Sequence, residues 1–407
     1  MSTPPHRVVV TGLGVFAAPG LDVPAFWQAV RGGESAIRLL RSVDTAALRF
    51  HTGAEIAEYD PQAYFDRRQR DTTDRFSQFA LLAAAEALAD AGLDPSPERS
   101  ARTAVVTGTA AGGLLAQEEG YERIYRQGIP RVHPLTVPRI MSSAGASHIA
   151  MAHGFRGPAL TVSTACASAT HAIGQAFWMV RSGLAEVAVT GGSEAPFTPG
   201  NLVAWDALRV VAPDTCRPFS VDRKGLILGE GAAMLVLEPL EAARARGATC
   251  YAEIVGFGMT ADAGHLTAPD AGGAARAMQA ALDDAGLAPE AVGYVNAHGT
   301  GTAANDAMEA QAMRRVFGTH ADRLAVSSTK GVHGHALGAA GALEAVATVL
   351  AVRDAVLPPT ANVTALDPAC DLDVITGAPR PAEVDVALSN SFAFGGLNAV
   401  LAFRRIS

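Results

Sequence analysis

Short β-branched runs alternate with alanine-rich stretches of helical period along the whole chain, and that alternation confines it to an α/β architecture. Strand-length runs fall at residues 7–10, 103–107, 159–162, 187–190, 233–237, 250–258, 293–296, 325–327, 384–389 and 399–403. Helix-length runs fall at 23–31, 74–91, 166–182, 240–246, 272–285, 303–317 and 338–353. Ala, Leu and Glu recur at helical spacing through 80–91, and Gly92 supplies a C-terminal stop. Strands separated by helices predict largely parallel sheets covered on both faces. With 407 residues, 49% of them hydrophobic and 18% charged, the chain can fill a large core.

Residues 238–247 read as a helical bridge, after which 251–258 restarts a strand much as 7–14 does. The expected division is therefore 1–249 and 250–407, two similar halves. In each, a glycine-rich reactive segment ends a strand and opens a helix. No residue-level repeat accompanies this pattern, so the duplication rests on element order.

The formal charge of −8 argues against a nucleic-acid binder, which would carry a basic excess. Four cysteines make neither a disulfide framework nor a zinc-ligand spacing, and Cys216, Cys250 and Cys370 read as isolated thiols. No apolar targeting segment precedes the first strand, and the apolar stretches at 161–180 and 336–352 are broken by polar residues or glycine. The expected compartment is the reducing cytoplasm, with no membrane span.

Three segments carry the chemistry. Cys166, in Val162-Ser163-Thr164-Ala165-Cys166-Ala167-Ser168, falls where a buried strand turns into a helix. Unpaired N–H groups and the helix dipole there favour thiolate and can stabilise an oxyanion. A lone cysteine at such a turn is more often a small buried residue. Two glycine-flanked histidines change that balance. His298, in Asn296-Ala297-His298-Gly299-Thr300-Gly301-Thr302, projects from a loop after a strand, and the alternating Thr300 and Thr302 hydroxyls can face one channel. His335, in Lys330-Gly331-Val332-His333-Gly334-His335, follows a glycine turn and starts a helix. Lys330 reads as buried, which requires a partner, for which Glu309 is the candidate. His333 reads as lining or structural.

These residues resemble those of the β-ketoacyl-[acyl carrier protein] synthases of type II fatty-acid and polyketide systems, especially the synthase II branch. The resemblance spans essentially the whole chain, through segments 7–14, 108–113, 164–168, 217–231, 296–302, 327–341 and 390–398. It implies a thiolase-like fold of five αβαβα layers built from two similar halves. It also implies a homodimer, with a heterodimer with a related chain-length subunit as the alternative. Cys166 matches the nucleophile that takes the acyl chain. His298 and His335 match the pair that polarises the malonyl thioester and stabilises the enolate formed as CO2 leaves. Lys330 matches the lysine that orders the site, with Glu309 as its carboxylate. Phe394 matches the gating phenylalanine, its N–H forming the oxyanion hole with that of Cys166. Thr300, Thr302 and Thr267 match the path of the phosphopantetheine arm of acyl carrier protein, which carries the substrates; no cofactor of the enzyme's own is implied. Arg67, Arg68, Arg131 and Arg209 fall at or near positions that dock the acidic carrier.

Several positions depart from the synthase II pattern. Ala393 replaces a glycine, which would restrict the gate, and Leu397 replaces a threonine. Ala111 replaces a bulkier residue of the acyl pocket, Trp205 is expected to close the far end of that channel, and His333 stands where threonine is common. Such changes touch chain selection rather than the chemistry, so a specialised chain of polyene or polyketide type stands beside fatty-acid elongation as the expected product. A thiolase would need a second cysteine in a Cys-x-Gly segment, which Ala369-Cys370-Asp371-Leu372 does not supply. A non-catalytic chain-length subunit would lack the nucleophile. A cysteine hydrolase would need neither the second histidine nor the lysine loop.

Overall fold

The computed structural model describes residues 5–93 and 96–406; residues 1–4, part of the lead-in read above, lie outside them. Eleven strands form one sheet: β1 (Val8–Ala17), β2 (Thr103–Gly108), β3 (Ala159–Val162), β4 (Val187–Glu194), β5 (Gly231–Pro239), β6 (Ala252–Ala261), β7 (Val292–Asn296), β8 (Ala325–Ser327), β9 (Asp373–Val374), β10 (Val386–Ala393) and β11 (Leu397–Arg404). Their order is β9-β8-β7-β10-β11-β6-β1-β5-β4-β2-β3. Outward from the β1–β6 seam, the arms read β1-β5-β4-β2-β3 and β6-β11-β10-β7-β8, with the same sequence of antiparallel and parallel pairings. β9 adds one short strand to the second arm.

The sheet is not largely parallel. Five of its pairings are antiparallel and five parallel. The reason is local: β10 and β11 are joined by the short turn at 394–396, too short for the crossover a parallel pair requires.

Seven helices matter for the site: α1 (Arg75–Ala91), α2 (Ser168–Arg181), α3 (Pro199–Leu208), α4 (Ala271–Ala285), α5 (Ala303–Phe317), α6 (Lys330–His333) and α7 (Ala340–Asp354). Asp74 caps α1 by accepting from Phe76 N, and Gly92 closes it at φ 58°. α1 lies on the outer face of β1 and β5, and α4 on the outer face of β6 and β11. Between the arms, α2 and α7 pack on each other and on strands of both. This gives helix, sheet, helix, sheet and helix in succession. α7 is buried all round, at 13 of its 15 positions, as a helix with protein on every side must be.

A residue-level echo of the duplication does exist. A β-carbon at Gly12 or Gly14 of β1 would collide with the carbonyl oxygens of Ala87 and Ala83 on α1. A β-carbon at Gly256 or Gly258 of β6 would collide with those of Ala281 and Ala277 on α4. In both arms two glycines, two apart, let a helix lie directly on the strand. Two glycines in a β-branched run are too sparse a signal to read as a repeat without the helices they receive.

Candidate active site

Cys166 sits in a three-residue 3-10 turn, Ala165–Ala167, between β3 and α2. Ala165 has φ 50°, a left-handed conformation that costs a residue with a β-carbon about 1–3 kcal/mol. Ser168 braces the turn: its hydroxyl accepts from Thr164 N at 2.9 Å and donates to Ala165 O at 2.7 Å. The N–H groups of Phe394 and of Cys166 itself reach the sulfur. Burial nevertheless pushes the thiol up to about 11, outweighing the Lys330 charge and these N–H groups. Burial thus works against the thiolate that the helix end favours.

His298 follows β7, and its loop is held through the backbone. His298 N and Gly299 N both donate to the buried Glu309 carboxylate, each at 2.8 Å. Lys330 Nζ donates to His298 O at 2.6 Å and meets its Nδ1 at 3.3 Å. An ammonium has no acceptor capacity, so Nδ1 must accept and the ring proton resides on Nε2. His335 reaches the same state differently: its Nδ1 accepts from Leu337 N at 3.2 Å, while His335 N donates to Ile227 O at 2.6 Å. The two rings lie 5.4 Å apart, nearly perpendicular. Their ligating nitrogens and the Cys166 sulfur all fall within 4.8 Å of one another. Burial and then the Lys330 charge hold both imidazoles well below the ordinary histidine range. Two neutral N–H donors therefore stand beside one thiol. Cys/His/His is also a donor set that zinc accepts.

Lys330 opens the single-turn helix α6, and its carboxylate partner is not Glu309. It pairs with Glu344 of α7, both side chains fully buried. Glu309 is occupied by the His298 and Gly299 N–H groups and by Asn390 Nδ2 at 3.2 Å. It shapes the histidine loop without neutralising the lysine. Burial pushes Glu344 up to about 7, opposed by Lys330. Glu344 Oε2, Asn296 Oδ1, Ser389 Oγ and Asn390 Oδ1 are buried without a hydrogen-bond partner. They come from β7, its neighbour β10 and the helix packed on them, and such hard oxygens could hold a water or a monovalent cation.

A cavity of about 100 Å3 is bounded by Cys166, both histidines, Phe394, Trp205 and Thr300, with Thr302 and Thr267 also on its wall. That is below the roughly 300–1,000 Å3 of ordinary small-molecule sites, so a long chain enters only if a wall moves. Phe394 and Trp205 of α3 stack at 6.4 Å and 22°. Trp205 thus stands on the cavity wall beside Phe394. Ala111 is exposed and does not line the cavity. Ala393 is not among the residues of positive φ, so its β-carbon costs nothing in this conformation; Gly395 and Gly396, at φ 83° and 69°, make the turn. His333 lies outside the cavity lining, with Nε2 at 2.9 Å from Thr329 Oγ1, and burial takes it down to about 3; it is structural. Arg67, Arg68, Arg131 and Arg209 are all exposed, Arg67 beside Asp71 at 3.7 Å.

Glu344 was missed by sequence reasoning, although a signal was available. It is the one charged residue inside the apolar run 340–352, and such a charge must find a partner. Trp205 and Phe394 gave no such signal, because their meeting depends on how α3 folds back over the turn at 394–396.

Among the described residues no helix is long and apolar enough to cross a membrane. Residues 6–243 match the family described as beta-ketoacyl synthase, N-terminal domain, and 251–364 match its C-terminal domain. The chain is 49% identical over 401 residues to nodulation protein E of a Rhizobium species, covering 98% of this chain and 100% of the relative. It is 40% identical over 406 residues to 3-oxoacyl-[acyl-carrier-protein] synthase 2 of Staphylococcus aureus, covering 98% of each. The solved structure titled the ishigamide ketosynthase/chain length factor superposes with a TM-score of 0.94 at 36% identity, over 99% of this chain and 100% of that one.

Proposed function

The chain belongs to the β-ketoacyl synthase family, and from that premise we propose how its residues divide the work of the reaction. It is a condensing acyltransferase: acyl-[acyl carrier protein] and malonyl-[acyl carrier protein] give 3-oxoacyl-[acyl carrier protein], CO2 and free carrier. Cys166 accepts the acyl group, its thiol proton leaving with the carrier's phosphopantetheine thiol. The N–H groups of Cys166 and Phe394 hold the oxyanion of that exchange. The Nε2–H groups of His298 and His335 then hold the malonyl thioester oxygen. As the carboxylate leaves as CO2, its bonding pair becomes the enolate they stabilise, and the enolate carbon attacks the acyl-Cys166 carbonyl, expelling the sulfur. Neutral imidazoles suit this role, since they donate without first needing a proton. The observation that carries the reading is the pair of imidazole tautomers fixed separately by Lys330 and Leu337, each ring with a nitrogen within 4.8 Å of the sulfur.

Thr300, Thr302 and Thr267 on the cavity wall receive the phosphopantetheine arm in this reading, and the four exposed arginines dock the carrier. The substrates bring that arm on the carrier, and the enzyme needs no cofactor of its own. The halves 1–249 and 250–407 are the structural units, supported by their matching strand orders. A second chain, identical or related, docks along the free edge of β3 and the exposed apolar residues Tyr125, Val132 and Val137. That contact would cover Ala111, keeping a place for it in the acyl pocket. A reducing cytoplasm keeps the nucleophile usable. The similarity to nodulation protein E and to the ishigamide enzyme favours a specialised acyl chain over a housekeeping one.

The test is to incubate the protein with saturated and polyunsaturated acyl-carrier proteins and weigh the adduct on Cys166, with Cys166→Ala and Cys166→Gln alongside. Cys166→Ala loses the adduct, and Cys166→Gln keeps CO2 release from malonyl-carrier protein without condensation. An adduct persisting in Cys166→Ala overturns the assignment.

A further inference from the structure

The likeness of the two arms extends to their central helices. α2 and α7 each open after a three-residue 3-10 turn, and the first residue of each turn, Ala165 and Leu337, is left-handed at φ 50° and 46°. Cys166 therefore corresponds to Gly338. The strands beside the turns correspond as well: β4 and β10 each have eight residues, ending at Glu194 and Ala393. Around Cys166 the N–H groups face the reacting sulfur. Around Gly338 the equivalent space is filled from within. Glu194, fully buried, accepts from Gly338 N at 2.9 Å, Ala110 N at 2.6 Å, Ala111 N at 3.2 Å and Thr109 Oγ1 at 3.0 Å. A β-carbon at Gly338 would come within 2.5 Å of Glu194 Oε2, so no side chain can stand where the cysteine stands in the other arm.

All four donors to this carboxylate are neutral, and they tie three segments together: the end of β4, residues 109–111 and the turn before α7. The turn is the part that bears on the chemistry. Leu337 N points at His335 Nδ1 only while Leu337 keeps its left-handed φ, and the next N–H in the chain is the one Glu194 holds. We propose that Glu194 is a positioning residue for the condensation, an internal anion in the counterpart of the oxyanion hole that locks the Leu337–Gly338 peptide and so keeps His335 presenting its Nε2–H to the malonyl thioester. The inference rests on the assignment of His335 as an enolate donor.

Glu194→Gln has nearly the same shape but turns an NH2 toward main-chain N–H groups, so at least one of them loses its acceptor. The two half-reactions separate the effects. Acyl transfer to Cys166 uses N–H groups of the other helix end, whereas CO2 release from malonyl-carrier protein uses His335. Glu194→Gln is expected to lower CO2 release about tenfold to a hundredfold while acyl loading stays near wild type, since small misplacements of a catalytic group have effects of that size. Parallel loss of both half-reactions, or unchanged CO2 release, overturns the proposal. If Glu194→Gln gives no folded protein, Thr109→Val, which removes one donor to Glu194 together with the acceptor of Gly112 N, decides by the same split. His335→Ala is run beside them: CO2 release that survives there refutes the histidine's assignment itself. Release lost in His335→Ala but kept in Glu194→Gln refutes only the role of Glu194.

Discussion

Lys330 touches His298 twice, donating to its carbonyl oxygen at 2.6 Å and to its Nδ1 at 3.3 Å. One ammonium therefore fixes both the backbone and the tautomer of an imidazole that it also keeps neutral. Removing the lysine should free the ring and strand the Glu344 carboxylate in the core. Lys330→Met is expected to cost about 3–5 kcal/mol in denaturant unfolding, the usual penalty for breaking a buried ion pair. The double variant Lys330→Met/Glu344→Leu should recover much of that stability without recovering CO2 release. Wild-type decarboxylation in the double variant would show that the ammonium serves the fold alone.

Burial holds the Cys166 thiol at about 11, above an ordinary cysteine. Below that value the thiolate fraction, and with it alkylation by iodoacetamide, rises about tenfold per pH unit. Site-resolved mass spectrometry should find the rate at Cys166 still climbing beyond pH 10. A plateau below pH 8 would mean that the helix end and Lys330 outweigh burial.

Trp205 stacked on Phe394 closes a cavity of about 100 Å3. Aromatic pairs are worth about 0.5–1.5 kcal/mol beyond their buried area, so Trp205→Ala should loosen the gate. Competing acyl-carrier proteins of graded length should then load longer chains on Cys166 than the parent accepts. An unchanged length profile would place the selecting wall elsewhere.

Arg67 and Arg68 are exposed at the start of the helix Arg67–Thr72, where Arg67 has an acidic neighbour, Asp71, within ion-pair range. Replacing both with glutamate should raise the KM for acyl-carrier protein several-fold at low ionic strength, and much less near 0.5 M salt, where the screening length falls to about 4–5 Å. A defect of equal size at every salt concentration would speak against electrostatic docking.

The sequence located the chemistry better than it located the contacts that tune it. Cys166, His298 and His335 stood out because each lies in a turn or loop among small residues, and the structure brings them together. Pairings between distant segments were harder to read. Lys330 required a carboxylate, and the helix that follows His298 offered Glu309; the fold instead brings in Glu344 from α7. Burial opposes the expected thiolate: a helix-end dipole can be inferred from chain order, whereas the depth of burial depends on the whole tertiary arrangement. Ala393 illustrates the same limit: a β-carbon strains the backbone only at a left-handed φ, and the left-handed residues of that turn are Gly395 and Gly396.

The β1–β6 seam has a consequence for how the molecule can move. The nucleophile comes from one arm and both imidazoles from the other, so hinging the arms apart would disarm every catalytic atom at once. Continuous strand pairing across the seam, with two helices wedged between the arms, denies the enzyme that freedom. In the proposed mechanism the admission of substrate therefore falls to the short turn at 394–396 that carries Phe394, apart from the machinery behind it.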